Sequence, residues 1–206
     1  MATASFDLHR VQKLRKVAVG VGLLAAISLA FISRSWWGGG AFHEGVEAVG
    51  LAMIAICIVG RAWCSLYIGG RKKAEIVDRG PYSISRNPLY VFSFIGAFGV
   101  GAQTGSLTMA LVFLAVTGLV FAITIRREEA WLAEVFGDTY AAYLARTPRF
   151  GPDFSKWRDV ETLEVRPRFF LTTLRDGLVF LLAVPIFESV EKLQNIGWIG
   201  ALFRLP

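Results

Sequence analysis

The sequence predicts an all-α integral membrane protein with about five transmembrane helices. The first reason is composition, because 54% of the 206 residues are hydrophobic and only 18% are charged, whereas soluble domains usually carry about 25% charged residues. The second is the order of the residues: apolar stretches with few charges recur at lengths near those that cross a bilayer. The third is that most polar residues are concentrated in two regions between these stretches. A chain of this length predicts one membrane domain, residues 1–206.

Five apolar segments follow one another along the chain. The third and fourth are joined by the short sequence QTGS, which predicts a helical hairpin, and the fifth precedes an amphipathic tail. Their predicted bounds are 17–32, 46–68, 89–102, 107–125 and 169–187. The chain is therefore divided into three parts, which are the first two helices (17–68), a core rich in polar motifs (69–152), and a C-terminal helix with an interfacial tail (153–206).

Lysines and arginines are distributed unevenly between these segments. They are concentrated before the first helix, in the loop at 71–86 and in the region that begins at Arg126, while the turns at 33–45 and 103–106 carry one arginine between them. The positive-inside rule then predicts a cytoplasmic N-terminus and two cytoplasmic polar regions. Anionic lipid headgroups explain the net charge of +6, so no nucleic-acid partner is expected.

The cysteines and histidines show no spacing typical of a disulfide or a metal site. Cys57 and Cys64 lie about two helical turns, roughly 10 Å, apart, which is too far for a disulfide. His9 and His43 lie near segment ends and have no ligand partner at a recognisable spacing. The sequence therefore predicts two packing cysteines and no metal.

Two polar stretches carry specific residue patterns. Residues 79–90 are RGPYSISRNPLY, in which two prolines fix φ and restrict the residues before them. Residues 126–152 are RREEAWLAEVFGDTYAAYLARTPRFGP. Gly137 is typical of a helix C-terminus, which predicts that one helix ends at Phe136 and another begins at Asp138.

Together, the two stretches resemble the isoprenylcysteine carboxyl methyltransferase and phospholipid methyltransferase superfamily of membrane enzymes. The family pattern is G-x-Y, R-H-P-x-Y, a hairpin, E-E-x-x-L-x-x-x-F-G-x-x-Y-x-x-Y and R-x-x-P. Within residues 70–152 the chain matches it at Gly80, Tyr82, Arg86, Pro88, Tyr90, Glu128, Glu129, Leu132, Phe136, Gly137, Tyr140, Tyr143, Arg149 and Pro152. The resemblance implies methyl transfer from S-adenosyl-L-methionine, with S-adenosyl-L-homocysteine as product, in a cytoplasmic pocket built from the 69–88 loop and the 126–152 helical region.

The resemblance also implies roles for individual residues. Carried over by position, the cofactor contacts are Glu75, Ile76, Val77, Tyr82, Arg86, Asn87, Pro88, Leu89, Tyr90 and Glu128, and the catalytic residues are Arg86, Glu128 and Glu129. The histidine of R-H-P is Asn87 in this chain, which forms hydrogen bonds but cannot become cationic. A substrate-binding arginine of the prenylcysteine branch falls on Thr124, so Arg126 or Arg127 is the expected substitute. No general base is assigned.

The chemistry of these residue types agrees with that cofactor. A guanidinium pairs with a carboxylate, and the amino-acid end of S-adenosylmethionine presents one. A glutamate suits ribose hydroxyls or an amine, and a tyrosine face suits a sulfonium. The acceptor is expected to be a membrane lipid or another lipid-soluble molecule, methylated on oxygen, nitrogen or sulfur. Taken alone, however, Glu128 and Glu129 could simply balance nearby arginines, and Tyr90 could belong to an interfacial aromatic belt.

Two other classes of protein fit parts of the pattern. Membrane sterol and steroid reductases bind NADPH and carry a similar R-H-P-x-Y stretch, but they do not normally carry the E-E…F-G-x-x-Y-x-x-Y continuation. A non-enzymatic transport or scaffold protein would leave the two motifs as a coincidence. Binding of labelled S-adenosylmethionine, compared with binding of NADPH, separates the three classes.

Overall fold

The computed structural model describes residues 8–72 and 74–206, and these residues are mostly helical. The helices are α1 (Leu8–Ile32), α2 (Ala41–Ile68), α3 (Pro81–Ile84), α4 (Pro88–Ala102), α5 (Leu107–Arg146), α6 (Pro167–Leu178) and α7 (Ala183–Asn195). Short 3-10 turns lie at Phe154–Lys156 and at Val179–Leu182, where the second joins α6 to α7. Two parallel strands pair with each other, β1 (Ser33–Ser35) and β2 (Phe203–Leu205). The N-terminus, the side chain of His9 and Lys73 of the basic loop lie outside the described residues.

The length and apolar composition of the helices confirm the predicted integral membrane protein. Among the described residues, three helical stretches are long and apolar enough to cross a membrane, namely 41–68, 107–146 and the continuous stretch 167–195. Two shorter apolar helices cover Gly20–Ile32 and Pro88–Ala102. The prediction of about five membrane crossings needs both shorter helices to cross as well, and it stays a prediction.

The connections between helices meet at two opposite ends of the molecule. At the end called here the tail end, which comprises residues 33–40, 103–106 and 196–206, β1 pairs with β2. Ser106 Oγ also donates a hydrogen bond of 2.7 Å to the carbonyl of Pro206 there. The other end, called the cleft end, comprises residues 69–87 and 147–166. The predicted amphipathic tail therefore lies with the two turns that are poor in basic residues.

Small residues allow α2 and α4 to pack closely. A Cβ atom added to Gly96 would lie 2.4 Å from the Sγ of Cys57, and one added to Gly99 would lie 2.6 Å from the carbonyl oxygen of Gly50. Such close backbone approach is typical of helix pairs in membranes. Cys57 is buried in this contact, and it and Cys64 are both free thiols, as the sequence predicts.

Helix α5 is broken at Gly137. The residue has φ 47° and ψ −122°, a conformation outside the helical region, so residues 107–136 and 138–146 are two helices joined at one point. This agrees with the predicted helix end at Phe136. The change of direction brings Tyr140 and Tyr143 into buried positions at the cleft end.

Candidate functional site at the cleft end

Residues 79–90 are held in place by one glycine and two prolines. Gly80 has φ 55°, and a Cβ atom there would lie 2.3 Å from the ring of Tyr67, so no larger residue fits. Pro81 occupies the first turn of α3 and Pro88 the first turn of α4, positions where the missing N–H costs no helical hydrogen bond. Two helices therefore begin within eight residues of each other in this segment.

The polar groups of this segment bind the stretch that follows α5. The N–H of Gly80 donates to the carbonyl of Arg158 at 2.7 Å, and the N–H of Arg86 donates to the carbonyl of Pro148 at 2.8 Å. Ser85 Oγ donates to the carbonyl of Phe150 at 3.1 Å. Non-helical backbone at a membrane boundary needs such partners. Hydrogen bonds from residues 79–90 thus hold residues 147–158 across the end of the helices.

A cleft of about 170 Å³ lies between these segments, and it is lined by residues from both polar motifs. The lining residues are Ile68, Lys72, Glu75, Ile76, Val77, Tyr82, Arg86, Asn87, Leu89, Tyr90, Glu128, Glu129, Leu132, Tyr140 and Tyr143. The structure therefore brings together every predicted cofactor contact except Pro88, and it adds Glu129. Pro88 is buried at the start of α4. The binding roles of these residues stay predictions.

Arg126 and Arg127, the predicted substrate-binding residues, do not line the cleft. Both are exposed, whereas Ile125 is buried and Glu128 and Glu129 face the cleft. Neither residue is therefore among those that meet at the cleft. Their role in binding the substrate stays a prediction.

Glu128 is held by two donors from the other motif. Lys72 Nζ lies 2.7 Å from Oε1, and Tyr90 OH donates to Oε2 at 3.0 Å. The Glu128 side chain is 13% exposed, while that of Lys72 is 46% exposed. Sequence reasoning missed Lys72 as a site residue because its charge was attributed to the orientation of the protein in the membrane.

Glu129 is the centre of a second set of charges. Arg149 binds both carboxylate oxygens through Nε, at 3.1 and 3.0 Å, and also makes an ion pair through Nη2. The hydrogen bond to Glu129 raises the pKa of Arg149 further above its ordinary value. Asn87 Nδ2 donates to Oε1 at 3.3 Å, and Arg86 Nη2 lies 3.8 Å from the same oxygen. Arg86 Nε is buried and has no hydrogen-bond partner among the described residues, so one guanidinium donor remains for a ligand.

Three tyrosines line the part of the cleft next to the break in α5. Burial raises the pKa of Tyr82 well above its ordinary value of 10, so the phenol stays neutral. Tyr143 OH donates to the carbonyl of Tyr82 at 2.8 Å, and Tyr140 packs beside Tyr143. Tyr140 and Tyr143 both belong to the family pattern, which could have indicated them as site residues, but neither was predicted to be one. Leu132 was missed in the same way, whereas Ile68 lies outside the pattern.

A larger, mainly apolar cavity of about 360 Å³ lies among the helices, and we call it the inner cavity. Tyr90 lines the cleft and Phe121 lines the inner cavity. Their ring centroids are 4.9 Å apart, so these two packed rings separate the cleft from the inner cavity. Arg61 of α2 also lines the inner cavity and donates a hydrogen bond to Ser93 Oγ. Arg61 Nε is buried and has no hydrogen-bond partner within the part of the chain that the structure describes. This arginine lies in a predicted apolar segment and was not predicted as a site residue.

Fold and site define a helical membrane protein with a charged cleft beside a mainly apolar cavity. Residues 36–139 match the family model described as phospholipid methyltransferase, which is half of the chain. The chain belongs to this family, and the predicted superfamily is confirmed.

Comparison with curated proteins gives three informative relatives. The chain is 35% identical over 198 residues to the nickel-cobalt-cadmium resistance protein NccN of Alcaligenes xylosoxydans xylosoxydans, covering 96% of this chain and 90% of the relative. It is 34% identical over 197 residues to the cobalt-zinc-cadmium resistance protein CzcN of Cupriavidus metallidurans, covering 96% and 88%. It is 33% identical over 95 residues to the protein-S-isoprenylcysteine O-methyltransferase of Schizosaccharomyces pombe, covering 46% and 40%. No solved structure matches.

These relatives overturn one prediction. The sequence predicted no involvement of metal, and this prediction was wrong, because the two relatives that match nearly the whole chain are named as metal resistance proteins. The expectation rested on the spacing of histidines and cysteines along the sequence, which does not report residues that meet only in the folded chain.

Proposed function

We propose that the protein is an S-adenosylmethionine-dependent methyltransferase that acts on a lipid-soluble acceptor. The observation that carries the proposal is the convergence of Arg86, Glu128 and Glu129 on one cleft from two segments 42 residues apart. Membership of the phospholipid methyltransferase family supports the reaction type. The predicted orientation puts this cleft on the cytoplasmic face, where a water-soluble cofactor would enter.

The donor set of the cleft fits this cofactor. Arg86, with its unpartnered Nε, would hold the carboxylate of the methionine part. Glu128 and Glu129 would bind the ammonium group or the ribose hydroxyls, and apolar side chains such as Val77 and Leu89 would face the adenine. The bound cofactor supplies an already activated methyl group. The protein's own contribution is therefore to position the acceptor and to exclude water.

The size of the cleft implies that a side chain moves when the cofactor binds. Its volume of about 170 Å³ is below the roughly 300–1,000 Å³ of typical ligand pockets. Lys72 is the side chain best able to move, because it is about half exposed and is held by one ion pair with Glu128. Because the Glu128 carboxylate is only 13% exposed, Lys72 would leave it only if the cofactor supplied a new partner, such as its ammonium group.

The inner cavity supports a lipid-soluble acceptor. It lies against the cleft at the Tyr90–Phe121 contact, and most of its lining side chains are apolar. A cation placed inside a membrane protein usually marks a functional site. Arg61 would therefore bind an anionic group of the acceptor, with the apolar chain in the rest of the cavity.

The first experiment compares the binding of labelled S-adenosylmethionine and of NADPH by the purified protein in detergent. The proposal expects saturable binding of S-adenosylmethionine only. Binding of NADPH alone would favour the reductase class, and binding of neither would favour a non-enzymatic role. Transfer of the labelled methyl group into a lipid extract then tests the acceptor. Arg61→Met is expected to reduce this transfer and to leave cofactor binding unchanged; a reduction of both would argue against a role for Arg61 in acceptor binding.

We also propose that the protein contributes to resistance against divalent transition-metal ions. The support is that two relatives covering 96% of the chain carry that function in their names. Deleting the gene in its host should lower growth on nickel, cobalt, zinc or cadmium salts. Complementation with the wild type and with Glu128→Ala tests whether the cleft is needed. Unchanged growth of the deletion strain would contradict the proposal.

A further inference from the structure

We propose that His43, Glu47 and Glu191 form a binding site for one divalent transition-metal ion at the tail end. His43 and Glu47 lie one turn apart in α2, and Glu191 lies in the last turns of α7. One nitrogen of His43 and one oxygen of each carboxylate all lie within 4.8 Å of one another. The site is separate from the cleft, and this inference does not depend on the proposed methyl transfer.

The spacing of the three side chains suits a small metal ion. His43 Nε2 is 3.1 Å from Glu47 Oε1 and 3.6 Å from Glu191 Oε2. Zinc binds nitrogen and oxygen ligands at about 2.0–2.2 Å, so two ligand atoms of a tetrahedral ion are about 3.3–3.5 Å apart. The observed distances bracket this value, so an ion could be bound with small side-chain movements.

His43 is a second, independent sign of a ligand. Its side chain is 93% buried, since only 7% is exposed. Among the described residues neither ring nitrogen makes a hydrogen bond of ordinary geometry, although the carboxylates of Glu47 and Glu191 lie near Nε2. A buried polar group without a partner is costly. Gly105 packs directly against the ring, and a Cβ atom there would lie 1.9 Å from Nδ1. The ring is therefore fixed with Nε2 towards the two carboxylates.

The site also has room for a further ligand. A cavity of about 20 Å³ adjoins His43 and Glu191, and its lining includes the polar residues Thr104 and Gln194. A space of about 10–15 Å³, measured in this way, holds one water molecule. Three protein ligands and one water would complete a four-coordinate site.

The charges of the site favour a cation. Two carboxylates share it, and the charge of Glu188, one turn before Glu191, also acts on Glu47. Arg34 lines the same cavity, but its guanidinium donates to Asn195 Oδ1. Imidazole and carboxylate ligands together suit zinc, cobalt and nickel. The competing explanation is a protonated His43 that only forms ion pairs with the two glutamates.

The test is metal binding by the purified full chain in detergent, after chelator treatment and removal of any affinity tag. Titration with Zn²⁺ and with Co²⁺ should reveal one strong site in the wild type. Glu191→Gln should raise the dissociation constant at least about 10- to 100-fold, the loss typical even of an outer-shell partner. Glu188→Gln is the matched control, since it removes a neighbouring acid of the same helix, and should bind within about threefold of the wild type.

The spectrum of Co²⁺ bound to the wild type gives a readout that does not depend on the folding of any variant. The visible absorption of bound Co²⁺ should be that of a low-coordinate ion with a nitrogen ligand, and it should be absent in His43→Gln. The proposal is overturned if the wild type binds no stoichiometric metal, if its Co²⁺ spectrum equals that of the aqueous ion, or if Glu191→Gln and Glu188→Gln bind equally well. S-adenosylmethionine binding at the other end should be unaffected in every variant.

Discussion

The side-chain amide of Asn87 donates a hydrogen bond of 3.3 Å to the carboxylate of Glu129. The same nitrogen lies 3.2 Å from the carbonyl oxygen of Arg149, whose side chain also binds Glu129. Asn87, in the first polar motif, therefore contacts both the helix that carries Glu129 and the segment that follows α5. It occupies the position where the family pattern has histidine, and it meets the requirement for a donor without carrying a charge.

The first prediction concerns this contact. Asn87→Asp would set a carboxylate against Glu129, so we expect the dissociation constant for S-adenosylmethionine to rise at least about tenfold, or about 1.4 kcal/mol. Asn87→His keeps a donor and is expected to bind nearly as well as the wild type. Equilibrium binding in detergent measures both. Equal affinity of the two variants would show that the contact is unimportant.

The second prediction concerns the charged residues of the cleft. Arg86→Ala or Glu128→Ala removes a charge-assisted contact to the cofactor, which costs about 2–3 kcal/mol, or about 30- to 150-fold in affinity. Arg126→Ala is the control, because Arg126 is exposed and does not line the cleft. Circular dichroism should show that all three variants are folded. The site assignment fails if Arg86→Ala and Glu128→Ala bind the cofactor like Arg126→Ala.

The third prediction concerns the break in α5. Gly137 has a φ of 47°, which an alanine adopts only at a cost of about 1–3 kcal/mol. Gly137→Ala should therefore lower the melting temperature and weaken cofactor binding, because Tyr140 and Tyr143 follow the break. Gly118→Ala, on an open helical surface of α5, should leave binding unchanged and stabilise the helix slightly. Equal melting temperatures for the two variants would contradict the strained geometry.

The fourth prediction concerns orientation. Gly39 at the tail end has an ordinary φ and open space around it, and Ser155 at the cleft end is exposed. A cysteine at Ser155 should react with a membrane-impermeant thiol reagent from the cytoplasmic face, and a cysteine at Gly39 from the opposite face. The native Cys57 and Cys64 are fully buried and should not interfere. Labelling of both positions from one face would contradict the predicted topology.

Features encoded within short stretches could be predicted from the sequence. The apolar segments predicted the helices because burial in a bilayer needs a continuous apolar length. Gly137 predicted the break in α5, because few other residues adopt a positive φ. Most of the cleft could be predicted because its residues lie in or near two local motifs that resemble a known family.

Features that depend on distant residues could not be predicted in this way. His43 and Glu191 are brought together only by the packing of α2 against the C-terminal helices, so their spacing along the chain carried no signal. Lys72 was missed because a lysine in a basic loop can either face lipid headgroups or belong to a site. Only its contact with Glu128 in the folded chain distinguishes the two. Arg126 and Arg127 were chosen because they lie near Thr124 along the chain, and such nearness does not report whether a side chain reaches the cleft.

Helix α2 also sets how variants at the two ends combine. It carries His43 near its start, and Ile68 of the cleft is its last residue, 25 positions later. At 1.5 Å per residue the two are about 37 Å apart. Free-energy changes at sites this distant, with no shared partners, usually add to within about 0.5 kcal/mol. A variant at one end can therefore serve as a neutral background for experiments at the other, and any departure from additivity would reveal coupling between the two ends.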